Sequence, residues 1–217
     1  MTLTRNRSLN VVGSLLTLLL LSVASFAQEA APPQQQALTK ESFPQVRIKN
    51  FGQMDARFYR GAQPKEDQYE TLKALGITTV IDLQAEPKEY ERRIVESLGM
   101  RYVNIPMVEK KYPKPEDVAA FLKLADDPAT GKFYLHCAGG RHRTGVMGAV
   151  YRFNKYGWDY EHVYREMKDF DFYTAWGHGA FKDFVQDYWQ QVQTAKLSAP
   201  AVQPAPAEAV FVGGNKK

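Results

Sequence analysis

The sequence predicts an α/β domain with a central, mostly parallel sheet flanked by helices, on three observations. Short apolar or β-branched runs recur at 77–83, 100–105 and 133–135, each about as long as a strand. The stretches between them carry helical periodicity and are punctuated by Gly76, Gly99 and Pro115. The last run, Phe133-Tyr134-Leu135, enters a loop with two glycines and leaves it through a second apolar run from Val146 to Phe153. That strand–loop–helix order belongs to sheets that bind ligands at their carboxyl edge.

The chain has 217 residues, enough for one domain with tails. Arg5 and Arg7 precede an apolar run from Val11 to Val23, and Ser25-Phe26-Ala27 offers small residues at a cleavage site. Residues 1–27 therefore read as a secretory signal peptide, with bacterial export to the periplasm or beyond, and the run is short for a retained membrane span. Residues 28–41 are rich in Ala, Pro and Gln and are expected to form a disordered leader; residues 195–217, rich in Ala and Pro, are expected to form a disordered tail. Within the tail, Val210-Phe211-Val212 is expected not to dock. The folded domain is placed at 42–194.

Element by element, 46–51 and 57–59 read as short strands around a turn at Gly52. Lys65 to Leu75 reads as an amphipathic helix and Ile77 to Leu83 as a strand. Pro87 opens a helix to Leu98, and Met100 to Ile105 is a strand. A helix from Pro115 turns Val118, Phe121, Leu122 and Ala125 inward. Phe133 to His136 is a strand, and the helix after it ends at Gly157. Asp159 caps a further helix. Gly179 to Gln191 forms the last. Tyr164, Phe170, Phe172, Tyr173, Trp176 and Phe181 fall at helical spacing and are expected in the core rather than on a pocket wall.

Between strand and helix lies His136-Cys137-Ala138-Gly139-Gly140-Arg141-His142-Arg143-Thr144. A loop opening into a helix aims its unpaired amides at one point, and the helix dipole adds positive potential there. Gly139 and Gly140 permit the positive φ angles of an anion-binding nest. Cys137 at the mouth of such a nest favours its thiolate. Arg143 can grip two phosphoryl oxygens at once, which Lys cannot do. The pattern suits attack of a Cys137 thiolate on phosphorus, with the amides and Arg143 stabilising the equatorial oxygens.

His136-Cys137-x-x-Gly140-x-x-Arg143-Thr144 resembles the signature of the cysteine-dependent protein tyrosine and dual-specificity phosphatases. The resemblance runs from about Phe51 to Trp189. Tyr59-Arg60-Gly61-Ala62-Gln63-Pro64 is similar to an Arg-Gly-x-x-Pro segment near the start of such domains. Ile81-Asp82-Leu83 with Glu86-Pro87, and the ending Arg141-His142-Arg143-Thr144-Gly145, resemble the atypical plant and fungal members. The resemblance implies a dual-specificity-phosphatase-like fold, Cys137 as nucleophile and Arg143 as phosphate clamp. It implies a cradle from Ala138, Gly139, Gly140, Arg141 and His142, a role for Thr144 in releasing the thiolate, and a role for His136 in orienting the loop.

Relatives place an Asp about thirty residues before the Cys as general acid, whereas this chain reads Ile105-Pro106-Met107-Val108-Glu109-Lys110-Lys111-Tyr112-Pro113 there. Glu109 is the nearest candidate acid, with His142, Asp169 and Asp171 as others. Arg141 and His142 motivate a second phosphate on the substrate: an inositol polyphosphate, a phosphoinositide head group or a clustered phosphopeptide. The alternatives are a phosphate-binding module without strong catalysis and another thiol enzyme, such as a sulfurtransferase. Net charge is +4, or +2 without residues 1–27, with no long basic run, so nucleic acid is not indicated. One Cys excludes an internal disulfide framework. The chemistry requires no cofactor, and no His/Cys/Asp cluster along the sequence suggests a metal.

Overall fold

The computed structural model describes Ala37 and residues 39–198. The signal peptide, most of the leader and the tail from 199 lie outside these residues, as does Val210-Phe211-Val212. No helix among the described residues is long and apolar enough to cross a membrane.

Five strands form one sheet: β1 (Gly52–Gln53), β2 (Phe58–Ala62), β3 (Thr79–Gln84), β4 (Arg101–Met107) and β5 (Phe133–Cys137), in the order β1-β2-β5-β3-β4. Only the β1–β2 pairing is antiparallel, so the sheet is mostly parallel as expected. The helices are α1 (Tyr69–Ala74), α2 (Glu89–Ser97), α3 (Pro115–Asp126), α4 (Arg143–Tyr151), α5 (Tyr160–Asp169) and α6 (Gly179–Ser198).

Alternation along the strands divides the core in two. Phe58, Ile81, Phe133, Leu135 and Cys137 face α3, α4, α5 and α6. Tyr59, Val80 and Tyr134 face α1, α2 and the segment carrying Val46, Ile48 and Phe51. β5 lies between β2 and β3, with Ala62 paired to Cys137 and Asp82 paired to His136. Its carboxyl end is thus at the middle of the sheet, where the loop to α4 begins.

Several boundaries differ from expectation. Residues 46–51 form no strand: Asn50 adopts φ 51°, which breaks an extended run, while Val46, Ile48 and Phe51 are still buried. The first helix is split into a 3-10 turn at Glu66–Gln68 and α1. α4 passes into a π-helical turn at Arg152–Tyr156 before Gly157 ends it in the left-handed region. The Asp159 cap is present, its side chain accepting from the His162 amide. α6 continues to Ser198, beyond the helix end expected at Gln191 and the domain limit expected at 194. Ala37, assigned to the leader, is buried, and its amide donates to Glu166 Oε1 at 3.2 Å.

Glu166 on α5 is the partner of Arg152, which is fully buried at the end of α4. Arg152 donates to both Glu166 oxygens, the shortest contact being 2.6 Å, and to the Met54 carbonyl at 3.0 Å. Its guanidinium stacks on Trp158 at 4.2 Å. Removing one member of such a pair strands a buried charge. Glu166→Ala is expected to lower unfolding stability by about 3–5 kcal/mol, read as a reduced urea midpoint at unchanged slope.

Candidate active site

Cys137 ends β5, and Arg143 opens α4 six positions beyond it, with the five loop residues 138–142 between them. Burial alone would push the Cys137 thiol up. The Arg143 guanidinium, the Thr144 hydroxyl and amide and the Gly139 amide outweigh it and hold the thiol below its ordinary range. Arg143 is itself buried, with one guanidinium nitrogen held by the carbonyls of Met107 at 3.2 Å and Leu83 at 3.4 Å. Met107 ends β4 and Leu83 lies one residue before the end of β3, so the sheet's carboxyl edge orients the Arg143 guanidinium.

Amides converge on an anion only when the carbonyls of the same loop turn outward. Two side chains hold them there. Arg60 on β2 donates to the Gly140 carbonyl and Asn50 Nδ2 to the Gly139 carbonyl, both at 2.8 Å. Arg60 lies fully buried beneath the loop with its guanidinium 4.0 Å over the Phe170 ring. Burial lowers its pKa to about 10, partly offset by Glu166 and by Cys137, and it stays charged at neutral pH. Gly140 has φ 67°, and a Cβ there would fall on the backbone of Gly61 and Ala62. Gly61 in turn lies under the Tyr134 ring, whose hydroxyl donates to the Ala62 carbonyl at 2.6 Å.

His136 points to the opposite face of the sheet from Cys137, because neighbours on a strand alternate. Its Nε2 is 2.8 Å from Glu91 Oε1 and its Nδ1 is 3.8 Å from Asp82 Oδ1, all fully buried. Burial disfavours the imidazolium, but Glu91 and then Asp82 reverse this and raise the His136 pKa. For Glu91, burial is outweighed by His136 and Gln63, and its pKa is lowered. Gln63 donates to Glu91 Oε2 at 3.0 Å, and Tyr102 donates to Asp82 Oδ2 at 2.9 Å. Asp82, Glu91 and His136 thus form a buried cluster of metal-ligating types, their ligand atoms within 4.8 Å of one another, where the sequence suggested none. Three separate elements supply it, so linear spacing does not show it. Its closest contact is His136 Nε2 to Glu91 Oε1, and the cluster packs behind the end of β5 that carries Cys137.

The remaining candidates lie at the rim. Arg141 keeps its side chain partly exposed, with Nε 3.8 Å from Asp171 Oδ2 and the guanidinium 5.8 Å over Tyr173. His142 was expected to add exposed positive charge. Instead its ring sits among aromatic neighbours: stacked on His178 at 3.7 Å and meeting Tyr173 edge-on at 4.4 Å. Burial first, and then His178, lower its pKa to about 4, so it is neutral at physiological pH and is not a proton donor there. Asp169 ends α5, and both it and Asp171 are exposed. Glu109 is exposed on the segment after β4, with Oε1 3.6 Å from His178 Nε2. Phe170, Phe172 and Phe181 are buried as expected. Trp176 is 82% exposed at φ 61°, and Tyr164 and Tyr173 are half-buried, so the core assignment fails for Trp176.

Arg60, Asn50, Glu91 and His178 were missed as site residues. Arg60 lay inside a quoted motif; the others carry no local signature. Asn50→Gly keeps the positive φ and removes only the donor to Gly139. It is expected to weaken competitive inhibition by inorganic phosphate a few- to about tenfold, the worth of one hydrogen bond. Unchanged inhibition would mean the carbonyl needs no anchor.

The comparisons with known proteins agree with this geometry. The dual specificity protein phosphatase TpbA of Pseudomonas aeruginosa is 27% identical over 142 residues, covering 65% of this chain and 62% of its own. Inositol diphosphatase DSP3 of Arabidopsis thaliana is 28% identical over 103 residues, covering 45% of this chain and 51% of its own. The chain therefore spans less than two thirds of the length of these curated relatives. In fold it is similar to the catalytic domain of the PP-IP phosphatase SIW14 from S. cerevisiae, with a TM-score of 0.59 at 19% identity over 69% of this chain and 94% of that one. The family model described as DSP-PTPase phosphatase fused to NAD+ kinase matches residues 39–182, and the chain belongs to that family of dual-specificity and tyrosine phosphatases.

Proposed function

We propose that the protein is an exported, cysteine-dependent phosphatase that hydrolyses phosphate monoesters through a phosphocysteine on Cys137. One observation carries the reading. Cys137 sits at a helix N-terminus with its thiol lowered by Arg143, Thr144 and the Gly139 amide, in a loop whose glycine carbonyls are pinned outward. A phosphate in the cradle presents phosphorus to Sγ. The thiolate adds to phosphorus as the bond to the leaving oxygen breaks, and the loop amides and Arg143 take up charge on the equatorial oxygens. Water then attacks the phosphocysteine and Sγ leaves as the thiolate. The Thr144 hydroxyl, buried beside it, steadies that charge. Export rests on the sequence of residues 1–27.

For substrate, TpbA is a protein phosphatase by name, and DSP3 and SIW14 are named for inositol diphosphate or PP-IP chemistry. We place the substrate of this chain among phosphoproteins and multiply phosphorylated inositol compounds. Arg141 is the rim cation that favours the second class, since His142 is neutral and half-buried among rings.

The test is turnover of 4-nitrophenyl phosphate by the purified protein. Activity that vanadate blocks and that Cys137→Ser abolishes supports the phosphocysteine route. Phosphate binding without turnover would instead make the chain a binding module, and thiosulfate-to-cyanide transfer would make it a sulfurtransferase. Arg141→Ala is expected to lower kcat/KM for an inositol polyphosphate about tenfold more than for the aryl phosphate, the loss of one charge-assisted contact. Equal losses on both would remove the second phosphate from the account.

A further inference from the structure

His178 lies in the loop between α5 and α6, is buried, and takes no part in the phosphate cradle itself. Its Nδ1 is 2.8 Å from the Ala175 carbonyl, an acceptor only, so Nδ1 carries a proton. That leaves Nε2 as the adjustable position. Nε2 is buried from solvent and has no hydrogen-bond partner, and Glu109 Oε1 lies 3.6 Å away. The other face of the ring stacks on His142, the residue that precedes Arg143 at the start of α4. His178 therefore spans two parts of the site: the cradle on one side and the segment after β4 on the other. The His178 loop and the segment after β4 also meet, and both carry residues at positive φ. Lys110 and Trp176 hold φ near 60° and Gly177 φ 89°, and the Lys110 side chain lies against Gly177. Positive φ at residues with side chains is costly and persists only where the surroundings enforce it.

We propose that Glu109 and His178 together hold the proton taken by the leaving oxygen, with His178 as the positioning residue that ties Glu109 to the rim of the cradle. The proposal rests on the phosphatase reading. In the reacting form Glu109 Oε1 carries the proton, with His178 Nε2 facing it from 3.6 Å. As S–P forms and P–O breaks, Glu109 delivers that proton to the leaving oxygen, and the pair is left with a carboxylate and a neutral imidazole. In the second step the same pair takes a proton from the attacking water, which restores the starting state. Glu109, with its side chain 58% exposed, is the member that reaches substrate; His178, 5% exposed, acts through it. The arrangement supplies from two elements what an Asp on the preceding loop supplies in the relatives that this chain resembles.

A proton donor matters in proportion to how badly the leaving group needs one. The measurement is kcat/KM for 2,4-dinitrophenyl phosphate and for phenyl phosphate, with wild type, Glu109→Gln, His178→Phe and the double variant. His178→Phe keeps an aromatic ring to stack on His142 and removes both nitrogens. Glu109→Gln changes an exposed side chain and leaves the fold alone. In each variant the ratio of phenyl to dinitrophenyl turnover is expected to fall at least about tenfold, the low end of what a general acid contributes with some margin. The double variant is expected to be no worse in that ratio than the worse single, because both act on one proton. An unchanged ratio in either single variant, or ratios that multiply in the double, overturns the proposal while Cys137-dependent turnover still stands. Absence of any Cys137-dependent turnover in wild type overturns the phosphatase reading and this proposal together.

Discussion

The site depends on where two carbonyl groups point. A loop that opens a helix offers amides, but each amide belongs to a peptide plane whose oxygen must go the other way. Arg60 and Asn50 take the oxygens of Gly140 and Gly139, so the polar groups opposite the anion are satisfied whether or not the anion is bound. Gly140 must be glycine because the loop is pressed on Gly61 and Ala62, and Gly61 must be small because Tyr134 crosses it. The cradle is thus cast against β2, the strand paired in register with β5. A buried arginine is a costly anchor, yet Arg60 returns two things: a donor beneath the loop and a cation that Cys137 feels.

The two faces of β5 then divide the work. Cys137 faces the side of α4, where the helix start, Arg143 and Thr144 favour the thiolate. His136, one residue earlier, faces α2, where Glu91 and Asp82 hold it. The first face meets the loop and the start of α4, and the second is closed, with His136, Glu91 and Asp82 fully buried against one another. The Glu91 and Asp82 contacts on the closed face add to the β2 and β3 pairings that hold Cys137 at the end of β5, ahead of Ala138 and two glycines.

Cys137, Arg143 and the cradle were legible because nine consecutive residues contain them, and a strand–loop–helix unit is local. The parallel sheet was legible for the same reason: each strand and each helix announces itself within a dozen residues. What was not legible is what comes from far along the chain. Arg60 meets Gly140 across 80 positions and Asn50 meets Gly139 across 89. Asn50 was placed in a strand because Val46, Ile48 and Phe51 are apolar, and burial without pairing looks the same in a sequence as a strand. His142 was read as a rim cation because a basic triplet suggests charge, but a histidine among Phe172, Tyr173, His178 and Phe181 loses its proton to desolvation. Trp176 was read as core from its spacing, but it falls in a turn with positive φ, where helical spacing has no meaning.

The three basic residues of the loop therefore have three different fates, and these bear on which phosphate ester can be held. Arg143 is turned inward and spends part of its hydrogen-bonding capacity on Leu83 and Met107, so in the proposed reaction it is the cation for the phosphate being attacked. His142 gives up its charge to become part of the wall. Arg141 keeps its charge and part of its exposure, with Asp171 beside it and Tyr173 beneath. Its distance to Asp171, 3.8 Å, is that of a weak surface pair, which a substrate anion can displace at little cost. An aryl phosphate has no use for that displacement, because its far end is apolar. A second phosphate does, and it would exchange a solvated carboxylate for a dianion on a guanidinium that binds it bidentately. If the proposed substrates are the right ones, discrimination between the two classes reduces to one arginine and the aspartate it would leave.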